Sequence, residues 1–294
     1  MILHVLGAGQ PTPAKDRFGT SFVLELSGEY LMFDCGPAST HKLVKVGILP
    51  TQVDYLFFTH HHFDHNVDYP CFLLTRWDQS GDKAKQLQVF GPPPTEWFTD
   101  LLIGEDGAFS PDWKARIEHP VRQEVHQKRG GSLPRSKPSF DVKNIGSGEI
   151  LTNKKWKITS AAAKHVEPWL KSLAYRVDSV KGSIVFAGDT APCESVDNLA
   201  RNADILVISC PWHQDELETR GHAEVICGTL GTAQMAKDCN VKKLILGHTG
   251  GVFSSPGSRE KAIGDIAQIY HCLLYTSDAA DDTPCVDLGG RRII

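Results

Sequence analysis

The chain has 294 residues, of which 41% are hydrophobic and 22% charged, with a formal net charge of -4. That length carries one large domain or two small ones, and the composition fits an ordinary soluble globular protein and excludes a disordered or fibrous one. The slightly acidic balance gives no global attraction for phosphate backbones, so no nucleic-acid partner is expected; the one local basic run is Lys128-Arg129 with Arg135 and Lys137.

The first residues, Met1-Ile2-Leu3-His4-Val5-Leu6, are apolar but too short and too neutral for a signal peptide, and they stop at Gly7-Ala8-Gly9-Gln10-Pro11. Residues 2–6 are therefore expected as a strand. Strands follow at 21–26, 30–33 and 54–58, each bounded by Gly, Pro or Asp, with a short helix at 40–46. A strand at 87–90 closes on Gly91-Pro92-Pro93-Pro94. Residues 103–147 are rich in Gly, Pro and charge and weakly periodic, which predicts a lid-like insertion. Its Phe109, Trp113 and Phe140 face either a substrate or the core. Strands at 155–161, 172–177, 183–186, 205–209 and 243–246 come next. Helices are expected at 195–202, 223–239 and 258–270, where apolar residues recur at three- and four-residue steps. Two strand-rich halves fit two sheets packed together.

No apolar run reaches membrane-spanning length. The 8 cysteines form no Cys-x-x-Cys pair. Cys35, Cys71, Cys210 and Cys227 sit in apolar contexts and are expected as buried, reduced thiols, which points to the cytoplasm. From about Cys272 the text changes character and resembles the translation of a sequencing-adapter read-through. Residues 272–294 are therefore expected to be a non-native tail on a single domain at 1–271, with the parent gene from an uncultured source and the true closing strand missing. The competing expectation is a native strand at 284–288.

The densest chemistry lies in Thr59-His60-His61-His62-Phe63-Asp64-His65, directly after the apolar run Tyr55-Leu56-Phe57-Phe58. Imidazole and carboxylate groups beside a core are costly unless something binds them. Neutral imidazole nitrogens and carboxylate oxygens suit zinc and similar divalent ions. The spacing His-x-His-x-Asp-His fits two such ions, which need further ligands at strand ends. Three candidates follow apolar strands: His165 after Ala161-Ala162-Ala163-Lys164, Asp189 after Ile184-Val185-Phe186-Ala187-Gly188, and His248 after Leu244-Ile245-Leu246-Gly247.

Together these residues resemble the signature of the metallo-β-lactamase superfamily, over roughly residues 1–270. The resemblance implies an α/β fold, a four-layer αββα sandwich with metals at the edge between the two sheets. It implies two Zn2+ ions, with Mn2+ or Fe2+ as alternatives. His60, His62 and His165 would hold one, Asp64, His65 and His248 the other, and Asp189 would bridge them. His61 falls at a non-ligand position. Asp34, in Phe33-Asp34-Cys35-Gly36, would orient a ligand imidazole. Leu6-Gly7-Ala8-Gly9-Gln10-Pro11, Leu173-Ala174-Tyr175-Arg176 and Gly188-Asp189-Thr190 are similar to the ribonuclease Z and arylsulfatase-like branch. His222, in Arg220-Gly221-His222-Ala223, matches a His which that branch uses near the scissile phosphate. His222, His213 and Asp64 are thus the expected catalytic residues.

The implied chemistry is hydrolysis by a metal-bridging hydroxide, which needs no Ser or Cys nucleophile; no Gly-x-Ser-x-Gly occurs. The expected substrates are phosphate diesters or aryl sulfate and phosphate-type esters, with lactones or carboxyl esters as the alternative. Arg176 or Arg220 would favour phosphate if they point inward. Transfer-RNA processing is disfavoured. Only Asp178-Ser179-Val180-Lys181-Gly182 separates Val177 from Ser183, so the RNA-gripping arm of ribonuclease Z does not fit. The Glu of its His-Glu-Ala-Thr motif is absent from Ser209-Cys210-Pro211-Trp212-His213-Gln214, and Thr249-Gly250-Gly251 replaces its Ser-x-Arg pattern. Asp189 argues against a β-lactamase, and His62 with no flavin module against a diiron redox protein. The expected partner is a small ester substrate, with a homodimer allowed and neither nucleic acid nor membrane.

Overall fold

The computed structural model describes residues 1–272 except Asp16, Gly251, Val252, Ser254 and Pro256, together with the backbone of 274–276 and 285–287. One sheet contains β1 (Ile2–Gly7), β2 (Ser21–Leu26), β3 (Glu29–Phe33), β4 (Tyr55–Phe57), β5 (Gln88–Gly91), β6 (Asp141–Asn144) and the late strand β14 (Cys285–Asp287), ordered β14-β1-β2-β3-β4-β5-β6. The other contains β7 (Gly148–Thr152), β8 (Trp156–Ala162), β9 (Leu173–Ser179), β10 (Gly182–Phe186), β11 (Ile205–Ser209), β12 (Lys243–Gly247) and β13 (Leu274–Thr276), ordered β13-β12-β11-β10-β9-β8-β7.

Side chains alternate across a strand, and here both faces are apolar. Phe22, Leu24, Phe33 and Phe57 from the first sheet meet Tyr175, Ile184, Phe186, Val207 and Ile245 from the second in the layer between them. Phe33 lies at that centre, its ring 3.8 Å from Phe186 and 5.2 Å from Phe57. Phe33→Ala would cost about 3–5 kcal/mol. The intervening residues Val23, Met32, Leu56 and Val89 face outward, under α1 (Ser39–Lys45) and α3 (Tyr69–Ser80), which contribute Leu43, Tyr69 and Phe72. On the other side, Val185, Leu206, Leu244 and Leu246 are covered by Val196 of α7 (Glu194–Ala200), Ala233 and Ala236 of α9 (Thr229–Asp238), and Ala262 and Ile266 of α10 (Ser258–Ala267). The four-layer αββα sandwich expected from the sequence is present.

Strand direction places the site. β8 and β10 are each antiparallel to β9, so they run the same way, and β10, β11 and β12 are mutually parallel. The carboxyl ends of β8, β10 and β12 therefore share one edge of the second sheet. His165, Asp189 and His248 follow those three ends.

The insertion differs from expectation. After α4 (Thr95–Ile103) it folds into α5 (Ser110–Glu118) and α6 (Pro120–Lys128), each opened by a proline in its first turn, and then β6. Asp78 of α3 ties it down, accepting hydrogen bonds from Arg129 at 2.7 Å and Arg135 at 3.1 Å, with Arg116 at 3.5 Å. Trp113 is buried in the protein and Phe140 packs on the outer core of the first sheet, so neither faces a substrate. The basic run is largely neutralised, since Lys137 also pairs with Glu105. Three other expectations are corrected. The helix predicted at 223–239 begins only at Thr229, because the backbone before it turns to meet His165. Cys71 is exposed on α3, while Cys35, Cys210 and Cys227 are buried as expected. The helices α3 and α4 stand where no helix was predicted. No helix among the described residues is long and apolar enough to cross a membrane.

Candidate metal centre

The buried strand β4 delivers Thr59 and His60 to the sheet edge, both out of contact with solvent. The one-turn helix α2 (Phe63–Asn66) begins there, and it turns Asp64 and His65 inward. Two groups result: His60, His62, His165 and Asp189, and beside them Asp64, His65 and His248, with one donor atom per residue within 4.8 Å of the others in its group. In the first, His60 Nε2 lies 2.9 Å and His165 Nε2 3.3 Å from His62 Nδ1. In the second, His248 Nε2 is 3.1 Å from Asp64 Oδ2. Asp189 faces both. Its Oδ2 is 3.8 Å from His165 Nε2 and 3.2 Å from His248 Nε2, and its Oδ1 is 3.7 Å from His65 Nε2. All seven residues singled out as ligands thus meet at one place.

The far sides of three of the rings are held. His65 Nδ1 donates to Asp34 Oδ2 at 2.8 Å, and His165 Nδ1 donates to the Val225 carbonyl at 2.7 Å. The Thr59 hydroxyl donates to Asp34 Oδ2 at 2.8 Å, so it accepts from His60 Nδ1 at 3.1 Å. These bonds fix the tautomers and point each Nε2 lone pair inward. Asp34 therefore sits where the sequence placed it, behind a ligand-type imidazole. Gly188, at φ 60°, lets the chain turn into Asp189, and a Cβ there would come within 2.8 Å of the Thr59 side chain. His248 itself has a left-handed backbone at φ 53°.

The donor set suits divalent cations. Asp64 Oδ1 and His65 Nε2 are buried with no hydrogen-bond partner among the described residues. Such orphans cost about 1–3 kcal/mol each unless something binds them. Burial, reinforced by neighbouring imidazoles, holds His60 and His62 below the usual histidine range, in the neutral form that ligates. Burial opposes ionisation of Asp189, but His248, His65, His60 and His165 outweigh it and keep the carboxyl well below its ordinary value. Two imidazole-rich groups sharing a carboxylate fit a pair of ions such as zinc.

Other singled-out residues lie elsewhere. His61 is in neither group. It hydrogen-bonds Thr95 at 2.7 Å and packs on Phe58 and Phe98. His213 is buried at the start of α8 (Gln214–Thr219), 2.9 Å from the Ser258 hydroxyl and 3.6 Å from Asp265. His222 is exposed, with its ring 5.1 Å from Trp212. Arg176 is turned to Asp178 and to the carbonyls ending α7, and Arg220 to Glu216, so neither forms the cradle considered from the sequence. Three supports were not foreseen. Thr59 and the Val225 carbonyl hold rings, and the Ser209 hydroxyl donates to Asp189 Oδ1. Of these only Thr59 had a signal, its place at the head of the histidine run.

Residues 14–68 match the family described as the metallo-beta-lactamase superfamily, and residues 106–249 the beta-lactamase superfamily domain. Ribonuclease Z of Latilactobacillus sakei subsp. sakei (strain 23K) is 27% identical over an alignment covering 88% of this chain and 90% of that protein. Ribonuclease Z of Mycobacterium bovis (strain BCG / Pasteur 1173P2) is 30% identical over 70% of this chain and 68% of its own length. Among solved structures, the metallo-beta-lactamase fold protein YhfI from Bacillus subtilis superposes with a TM-score of 0.71 at 18% identity, covering 95% of this chain and 97% of that one. The short form of human tRNase Z gives 0.67 at 17% identity, covering 98% and 99%. At these identities the structural likenesses establish the fold.

Proposed function

The chain belongs to the ribonuclease Z family of the metallo-β-lactamase superfamily of metal-dependent hydrolases, and from that membership we propose that it is a ribonuclease cleaving RNA phosphodiester bonds. The observation that carries this reading is the seven-residue His/Asp centre inside a chain that aligns with ribonuclease Z over 88% of its length.

Two expectations are thereby corrected: a small phosphate, sulfate, carboxyl or lactone ester as substrate, and nucleic acid as an unlikely partner. The β9–β10 hairpin is indeed tight, with Ser179 paired to Gly182, and leaves no room for an arm. An arm, however, is a peripheral grip, and bond cleavage depends on the centre. Net charge misled for a similar reason, because a sum of -4 over the whole chain does not describe the local field where a substrate docks.

In this reading His60, His62 and His165 would hold one ion and Asp64, His65 and His248 the other, with Asp189 available to both; the imidazole-rich set would suit zinc, with manganese and iron as alternatives. When bound, such a pair lowers the pKa of water and offsets charge on a phosphoryl oxygen. The chain's own residues supply the rest. Asp34 and Thr59 keep the rings of His65 and His60 oriented, and Ser209 fixes the carboxylate plane of Asp189. Asp64 Oδ1, buried with no hydrogen-bond partner among the described residues, would be the acceptor for a proton of the attacking water. His222, exposed three residues before the Val225 carbonyl that holds His165, is the side chain we assign to protonate the leaving ribose oxygen. His213, the other side chain we keep as a candidate for proton transfer, bonds Ser258 at the start of α10 through Nε2.

The test is cleavage of structured and single-stranded RNAs by the protein loaded with zinc or manganese. Endonucleolytic products that vanish with a chelator and with Asp189→Ala support the reading. Intact RNA throughout, beside Asp189-dependent hydrolysis of a lactone or aryl sulfate, overturns it.

A further inference from the structure

His248 is supported differently from the other imidazoles of the centre. His60, His65 and His165 are each held by a hydrogen bond on the far side of the ring. His248 Nδ1 is buried with no hydrogen-bond partner among the described residues. The direction of its ring is therefore set by its backbone. That backbone is left-handed at φ 53°, a conformation that costs any residue carrying a Cβ.

The hold comes from the connection between β1 and β2, residues 8–20. Arg17 is buried there, and its Nη1 donates to the Thr249 hydroxyl at 2.8 Å, the Gly250 carbonyl at 3.0 Å and the Thr249 carbonyl at 3.3 Å. The Thr249 amide donates to the Ala8 carbonyl at 2.7 Å, and its hydroxyl donates to the same carbonyl at 3.3 Å. The two residues directly after His248 are thus clasped by both ends of one connection. A guanidinium so near a site for divalent cations repels them, so its use there lies in the carbonyls it gathers.

The same connection reaches Asp64. A Cβ on Gly19 would come within 2.5 Å of the Asp64 carbonyl, so only glycine lets the two strands of chain lie so close. One segment therefore sets Asp64 from the first sheet and His248 from the second, both members of one ligand group. The other group is held from elsewhere: His60 by Thr59, His165 by the Val225 carbonyl and Asp189 by Ser209.

We propose that Arg17 is the positioning residue for His248, so that the ion site of Asp64, His65 and His248 depends on it and the site of His60, His62 and His165 does not. The inference rests on the two-ion reading above and assigns one ion's affinity to a residue outside both ligand groups.

The experiment strips the full chain of metal and titrates it with Zn2+ against a chromogenic chelator, and with Co2+ followed by its absorption. The wild type should bind two ions. Arg17→Met should leave the first ion bound as in the wild type and weaken the second by about 10- to 100-fold, as loss of an orienting partner does elsewhere. It should also alter the absorption of the second Co2+ alone. Removing a repelling charge would by itself tighten the second ion, so the sign of the change separates positioning from electrostatics. Arg17→Lys should regain most of the loss, because the three contacts run through a single nitrogen that an ammonium can replace. Gly19→Ala, pressing on Asp64 from the same connection, should weaken the second ion too, and it carries the test if Arg17→Met does not fold. Second-ion affinity that is unchanged or tighter in these variants, or equal weakening of both ions, overturns the positioning role alone. A wild type that binds fewer than two ions overturns the two-ion reading and this inference with it.

Discussion

The carboxylate of Asp34 lies 2.8 Å from Nδ1 of His65 and so determines which nitrogen of that ring faces the ion-binding groups. Thr59 bonds the same carboxylate through its amide, at 2.7 Å, and through its hydroxyl. Asp34→Ala should therefore weaken metal binding by about 10- to 100-fold, as loss of an orienting partner does elsewhere. Competition with a chromogenic chelator measures this, and wild-type affinity in the variant would refute the orienting role.

His61 is a structural residue within a run of ligand-type histidines. Burial pushes its imidazole down to about 4, so it stays neutral while it bonds Thr95. His61→Ala should lower stability by about 1–3 kcal/mol, through the lost hydrogen bonds to Thr95 and Asn66 and the lost packing on Phe58 and Phe98. The folded variant should keep its metal content. Urea unfolding alongside metal analysis separates the two effects, and metal loss without destabilisation would contradict this assignment.

Asp78 governs how firmly the insertion is held. Burial opposes its ionisation, but Arg129, Arg135 and Arg116 outweigh that and hold the carboxyl below its ordinary value of 3.8. A carboxyl depressed on folding contributes stability that is complete above the unfolded pKa and is lost as pH falls through the folded one. The contribution of this tie should accordingly be full at neutral pH and fade below about pH 4. Asp78→Asn should speed amide exchange in α5 and α6 at neutral pH and flatten the acid limb of the stability profile. Exchange rates equal to those of the wild type would rule the tie out.

Truncation after Cys272 tests how far the centre depends on the last strands of the chain. It removes β13 and β14, the outermost strand of each sheet, and none of the seven residues of the centre. Metal stoichiometry should hold while the thermal midpoint falls. Loss of both ions from a still-folded truncation would show that those strands shape the site.

The centre was legible in the sequence because each of its members follows a buried apolar strand, and a polar residue at such a point has few other reasons to be there. The architecture was legible for a related reason: runs such as Ile184-Val185-Phe186 and Leu244-Ile245-Leu246 are apolar on both faces, as strands inside a sandwich must be. The insertion was not legible. α6 has only Val121 and Val125 as large apolar residues, too few to display a helical period, and its hold on the protein comes from arginines gathered around Asp78. The support of His165 was hidden too, since the Val225 carbonyl is backbone that any residue offers. The substrate was misread because absent grips and an overall charge were weighed, and neither describes the centre.

The centre draws His60, His62, Asp64 and His65 from beyond β4 in one sheet, and His165, Asp189 and His248 from beyond β8, β10 and β12 in the other. Each group contains members from both sides of the seam. A pair of ions there would rivet the two halves of the sandwich, and their binding energy would count in full against the sheets parting. Metal retention then reports on the seam as a whole. Damage to a strand well away from the centre should be felt first as a leaking ion and only later as an unfolded chain.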